Sequence, residues 1–106
     1  MARRGDDTLL DFLRTEFPGA QVSPRPDGST GATVFEVIEG DVERQLEIGR
    51  PLMDDLDERA IVDMLRRKNV SLSLAANPGK RVVVHRARLH EGLDLVVDVV
   101  ALRRKT

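Results

Sequence analysis

Runs and alternations of apolar residues divide the N-terminal part of the chain into one helix and a polar segment. A first helix is predicted to begin between Asp6 and Thr8 and to end before Pro18. A short extended piece over 20–22 follows it. Residues 23–31 are rich in Pro, Gly, Ser and Thr and are predicted to form a mobile loop without regular structure. The apolar face of the helix consists of Leu9, Leu10, Leu13 and Phe17.

A β-hairpin is predicted next, with strands over 32–38 and 42–49. A three-residue turn at 39–41 would set Ile38 opposite Val42. In that register the even-numbered apolar side chains of both strands share the core face.

The second helix is predicted to begin after Pro51 and to end at Asn69. Acidic residues stand near its start and basic residues near its end, where they complement the helix dipole. These charged residues are Asp54, Asp55, Asp57, Glu58, Arg66, Arg67 and Lys68. The buried stripe consists of Leu56, Ala60, Ile61, Met64 and Leu65.

The rest of the chain is predicted to be rich in β-strands. Residues 70–74 alternate apolar and polar side chains, and 77–80 form a turn. Two long strands over 81–89 and 93–102 then flank Glu91-Gly92.

The two long strands are predicted to bury their odd-numbered face, which only His85 interrupts. Their even-numbered face is also apolar, whereas a solvated sheet face normally alternates apolar with polar residues. We expect a second copy of the chain or another protein to cover it; the alternative is a cover from 20–22 or from the loop. The predicted partner-binding residues are Val82, Val84, Arg86, Arg88, Val96, Val100 and Leu102. Asp94 and Asp98 complete a rim of both charge signs, which suits a two-fold contact.

These elements predict one α+β domain over 1–106, a two-layer sandwich with two helices on a mostly antiparallel sheet. The predicted order is α-β(β)β-α-β-β-β. A shift of 52 residues aligns segments of the two halves and suggests an internal duplication. Chance similarity is the favoured alternative, because the two predicted hairpins bury positions of opposite parity.

Composition narrows the class of protein. The chain has 106 residues, 33% charged and 41% hydrophobic, with a net charge of −1. This balance favours a folded domain and argues against general attraction to polyanions. No apolar run approaches the roughly 20 residues that span a bilayer, and acids follow the basic start, so neither a membrane segment nor a signal peptide is predicted. The chain has no cysteine, and we expect a cytosolic protein of bacterial type.

Few residues suggest chemistry. His85 and His90 are predicted to point to opposite faces of a strand, so we expect no shared metal site. The acids at 54–58 are explained by their place at a helix start rather than as a magnesium site. No glycine-rich phosphate motif or serine nucleophile motif is present. We therefore predict no catalytic residues and no cofactor, and the sequence leans against an enzyme, although carboxylate-only catalysis stays open.

Two resemblances rest on element order. The helix-βββ-helix order over 6–68 resembles a double-stranded-RNA-binding domain, whose last helix starts with a basic cluster that contacts phosphates. Here that position carries the acidic run Met53-Asp54-Asp55-Leu56-Asp57-Glu58, which argues against nucleic acid as the partner. The order over most of the chain also resembles the small dimeric chaperones of bacterial type III secretion, which implies binding of an extended effector segment.

We therefore expect a non-catalytic protein-binding or adaptor module that forms a homodimer. A nucleic-acid-associated regulatory protein is the first alternative, and a type III secretion chaperone-like protein is the second. No membrane partner is expected.

Overall fold

The computed structural model describes residues 5–26, 31–89 and 92–102, and it describes side chains there except at 5–7, 26, 55 and 86–95. Four helices and five strands follow one another in these ranges. They are α1 (Gly5–Glu16), β1 (Gln21–Pro26), β2 (Thr33–Glu39), β3 (Val42–Ile48), α2 (Arg50–Asp55), α3 (Glu58–Arg67), α4 (Val70–Ala76), β4 (Lys80–Leu89) and β5 (Gly92–Ala101).

The five strands form one sheet in the order β1-β2-β3-β4-β5. Neighbouring strands run antiparallel except β3 and β4, which are parallel. A parallel pair needs a long connection across the sheet, and α2, α3 and α4 supply it. The predicted mostly antiparallel α+β sheet is confirmed.

The helices pack on one face of this sheet, which we call the covered face. Its register places Phe35 opposite Leu46, and Leu46 beside Val82. These side chains join apolar residues of all four helices in one buried core cluster. The other side of the sheet, the open face, carries most of the charged strand residues described below. The predicted two-layer sandwich is confirmed, and the duplication stays a prediction.

The first hairpin differs from the predicted register by one residue. Glu39 lies opposite Val42, so the turn has two residues rather than three. Gly40 adopts a positive φ of 60°, which suits a tight hairpin turn. A one-residue shift exchanges the faces of a strand, so β2 places Phe35 and Val37 on the covered face. The sequence pattern did not distinguish odd from even positions here, because β2 carries apolar residues on both faces.

The predicted strand over 70–74 is wrong, because these residues form α4. Val70 and Leu74, four apart, are buried, while Leu72 between them is 72% exposed. An alternation of apolar and polar residues over five positions also contains the i, i+4 spacing of a helix. Asn69 adopts the left-handed conformation between α3 and α4, which agrees with its predicted role in ending a helix.

The predicted second helix is divided into α2 and α3. Leu56 is extended, and the Asp57 carboxylate accepts a 2.8 Å hydrogen bond from the Ala60 amide at the start of α3. The helix-start explanation of the acidic cluster is thus confirmed at Asp57, and the continuous helix is wrong. The cap satisfies a backbone amide that the first turn of a helix leaves unpaired.

The loop predicted over 23–31 begins too early, since residues 21–26 form β1. Proline is tolerated in an edge strand where its missing N–H would face solvent, which explains why Pro24 pairs with Phe35 in the ladder. The predicted mobile part at 27–30 lies outside the described residues.

Candidate interaction surface

The predicted partner-binding stripe is divided between the two faces of the C-terminal hairpin. Leu89 lies opposite Gly92, which sets even-numbered residues of β4 opposite odd-numbered residues of β5. Val82 and Val84 therefore lie on the covered face and are fully buried in the core. Val96 and Val100 lie on the open face. The inference that these residues share one face is wrong, because it assumed the opposite parity for the turn.

Three other predicted residues belong to the same hairpin. Arg86 and Arg88 occupy positions of β4 on the covered side of the ladder, and their side chains lie outside the described residues. Leu102 follows the end of β5 and is half-buried.

His85 lies on the open face rather than interrupting the buried one. It is opposite Val96, while Asp98 is opposite Val83, so the two side chains meet diagonally. His85 Nε2 lies 2.8 Å from Asp98 Oδ2, and the side chains are 42% and 58% exposed. An ion pair this exposed contributes less than about 1 kcal/mol. His90 lies outside the described residues, and among those described no group of three or more metal-ligating side chains is found.

On the open face of the other strands, polar and charged side chains pair with one another. Arg81 Nε and Nη2 donate hydrogen bonds of 2.9 and 2.7 Å to the amide oxygen of Gln45, which is buried. Arg81 Nη1 also lies 2.7 Å from Glu47 Oε1. Nearer the edge, Arg25 Nη1 lies 2.8 Å from Glu36 Oε2. Arg81 thus uses all three guanidinium nitrogens within the chain, and Arg25 is paired with a carboxylate, which makes both poor candidates for phosphate contacts.

Arg44 lies on the covered face of β3 and contacts residues at the ends of two helices. Its Nε donates a 2.9 Å hydrogen bond to the carbonyl of Leu74, near the end of α4, and its guanidinium lies 5.8 Å from the centroid of the Phe17 ring. Its Nη1 is 3.5 Å from Glu39 Oε1, which is ion-pair distance without hydrogen-bond geometry. Arg44 therefore holds α1 and α4 to the sheet.

A groove of about 480 Å³ runs between α1 and α3. Phe12 and Val62 contribute buried apolar side chains, and the Arg66 guanidinium carbon lies 5.5 Å from the centroid of the Phe12 ring. Arg59 and Arg66 line it together with Asp11 and Asp63, so the charges of the lining balance. A binding pocket is expected to be concave and mostly apolar with a few convergent polar groups. This open, charge-balanced groove lacks that character.

The outer edge of β5 is the most unusual surface. This strand has ten residues, contains neither proline nor lysine and carries Asp94 and Asp98 as its charged residues. Within the described ranges it pairs only with β4. Val99 and Val100, on opposite faces, are each 42% exposed. Edge strands are usually short or interrupted by charge or proline, since a free edge can pair with another chain. We call β5 with these two valines the β5 edge.

Sequence reasoning missed Val99, because it assigned that residue to the buried face. The sequence carries no local signal that separates Val99 from the buried valines, because both sets lie in apolar runs.

No helix in the described part of the chain is long and apolar enough to cross a membrane. The chain matches no protein-family model, and comparison with curated proteins and with solved structures finds no match.

Proposed function

We propose that this chain is a non-catalytic protein-binding module that joins its partner by pairing a strand with the β5 edge, and that it forms a homodimer through this edge. The observation that carries the proposal is the length and apolar character of β5 at an open end of the sheet. An added strand gains main-chain hydrogen bonds and covers the side chains on both faces.

The exposed valines support this mode of binding. Val99 on the covered face and Val100 on the open face leave apolar area on both sides of the strand in contact with solvent. A docked helix or a flat surface would cover one of these sides, whereas a paired strand covers both. Full burial of a valine stabilises by roughly 1.5–3 kcal/mol, and part of this remains to be gained at each position.

The alternative partner, nucleic acid, has less support. Arg25 and Arg81 are engaged by Glu36 and Glu47, and Asp98 lies on β5 close to the proposed contact. The net charge of −1 adds no general attraction to phosphate.

The test is the oligomeric state of the full chain by sedimentation equilibrium over a wide concentration range. The wild type should associate to a dimer, and Val99→Lys with Val100→Glu should weaken association at least tenfold while leaving the circular dichroism spectrum unchanged. Leu72→Lys is the matched control, because it replaces an exposed apolar side chain on α4, away from the edge. It should leave association unchanged.

A wild type that stays monomeric at high micromolar concentration would contradict the proposed homodimer. Equal weakening by the double variant and by Leu72→Lys would contradict the β5 edge as the contact. Raising the salt concentration should change the affinity little, since a steep loss is the mark of phosphate binding.

A further inference from the structure

We infer that two copies of the chain pair β5 with β5 in antiparallel orientation around a two-fold axis at Val97, which joins the two sheets into one of ten strands. This inference rests on the proposed function and specifies its partner and geometry. It follows from the two edges of the sheet, the pattern of β5 and the positions of its aspartates.

The choice of partner strand comes from the two edges. At the other end of the sheet, β1 carries Pro24 and Pro26. A proline in an edge strand removes a donor that would face outward, so the β1 edge offers few N–H groups to a second copy. Pairing of β5 with β1 of another copy would also be head-to-tail and would build rings or open filaments, whereas β5 with β5 closes as a dimer.

The pattern of β5 is self-complementary. Its edge presents apolar residues on both faces, and the docking strand should do the same. In this chain β5 itself meets the requirement, with Val97 and Val99 on the covered side and Val96 and Val100 on the open side. Within the described sheet, the other edge strand is interrupted by proline and by Arg25.

The symmetry limits the register. Opposite residues of an antiparallel pair point to the same face of a sheet, and a two-fold axis perpendicular to the sheet keeps each residue on its own face. Odd-numbered positions therefore lie opposite odd-numbered ones and even-numbered opposite even-numbered ones. The axis must then pass midway between the two copies of one residue, and it is named below by that residue. The covered faces of both copies then lie on the same side of the joined sheet.

The aspartates select one register from this set. An axis at Val96 sets Asp98 opposite Asp94, and an axis at Asp98 sets that residue opposite itself; like charges directly opposite destabilise a pair. An axis at Val97 sets Asp98 opposite Val96 and lets residues 93–101 pair along nearly the full strand. Axes at residue 95 or 99 also keep the aspartates from lying directly opposite each other, but they pair fewer residues.

Disulfide cross-linking tests this register, and the chain contains no cysteine that would compete. Val97→Cys places two thiols opposite each other at the axis, with Cβ atoms about 4.5–5.5 Å apart, so a small movement of the strands brings them to the separation that a disulfide needs. Under mild oxidation most of this variant should become a covalent dimer. Val100→Cys is the matched control: its two copies would lie six residues apart along the strand, about 20 Å, and should stay uncross-linked at protein concentrations where the wild type is a dimer.

A second pair of variants covers the case in which Val97→Cys fails to fold. Val96→Cys mixed with Asp98→Cys should form the mixed disulfide at least tenfold faster than either variant forms its own. Cross-linking of Val97→Cys with none of Val100→Cys supports the register, as does the preferred mixed disulfide. A wild-type dimer in which Val100→Cys cross-links and Val97→Cys does not would overturn the register and leave the proposed function standing. A monomeric wild type would overturn both.

Discussion

The two ends of the sheet differ in how they meet solvent. At the β1 end, Pro24 and Pro26 remove edge donors, and Arg25 and Glu36 form an ion pair on the open face. At the β5 end, ten residues run without proline, and Val99 and Val100 are half-exposed. Prolines interrupt one edge of the sheet, whereas the other edge carries only Asp94 and Asp98 as a safeguard against strand pairing. This difference is the basis of the proposal that the β5 edge binds a partner.

The largest expected effect is on the free energy of unfolding, and it compares a buried position of the C-terminal hairpin with an exposed one. Val84→Lys places a charge in the fully buried core and should destabilise the chain by at least about 3–5 kcal/mol, enough to unfold most of it. Val100→Lys, on the exposed strand, should change monomer stability by less than about 0.5 kcal/mol. Urea denaturation at low protein concentration measures both. Equal losses would show that Val100 is part of the core.

The next effect concerns the hydrogen bonds from Arg81 to Gln45, which join β3 and β4 on the open face. Arg81→Ala leaves the buried amide oxygen of Gln45 without its two donors and should cost about 1–3 kcal/mol. Arg25→Ala is the control, because its pair with Glu36 is exposed and should contribute less than about 1 kcal/mol. Thermal denaturation of both variants makes the comparison. If both variants lose equal stability, the Arg81–Gln45 hydrogen bonds contribute no more than the exposed Arg25–Glu36 ion pair.

The difference between the two edges can be removed by replacing the prolines of β1. Pro24→Val with Pro26→Val restores two N–H donors to β1 and should give the chain a second edge for pairing. We expect species larger than a dimer, with an association constant for the new contact raised about tenfold, or roughly 1.4 kcal/mol. Sedimentation velocity resolves these species. Ser23→Val, which increases β-propensity and keeps both prolines, should remain dimeric; larger species from this control would show that the prolines do not protect the edge.

The smallest expected effect is at the His85–Asp98 pair. Asp98→Asn should change the free energy of unfolding of the monomer by less than about 1 kcal/mol, because both side chains are exposed. Chemical denaturation at a concentration below dimerisation measures it. A loss above about 2 kcal/mol would mean that the pair is shielded from solvent, and the open face near β5 would then be covered within the monomer.

Much of the fold follows from local patterns. The face of α1 with Leu9 and Leu13, the turn after Asn77 and the bounds of the C-terminal strands were readable because helical periodicity, turn residues and long apolar runs act over a few neighbours. The site was less readable. Val99 and Val100 differ little in sequence from buried Val82 and Val84. Their exposure comes from their place on the outer strand of the described sheet, with Val100 on the open face.

The sequence by itself determined an α+β chain with an N-terminal helix, a first hairpin and a long C-terminal hairpin, since these elements follow from the spacing of apolar residues. Tertiary structure decided which faces are buried. β2 and β4 are apolar on both sides, so their orientation was set by the turn at Gly40 and by the helices packed above Phe35 and Val84. It also converted 70–74 into a helix, because packing Val70 and Leu74 into the core outweighs a short alternation that suits either structure.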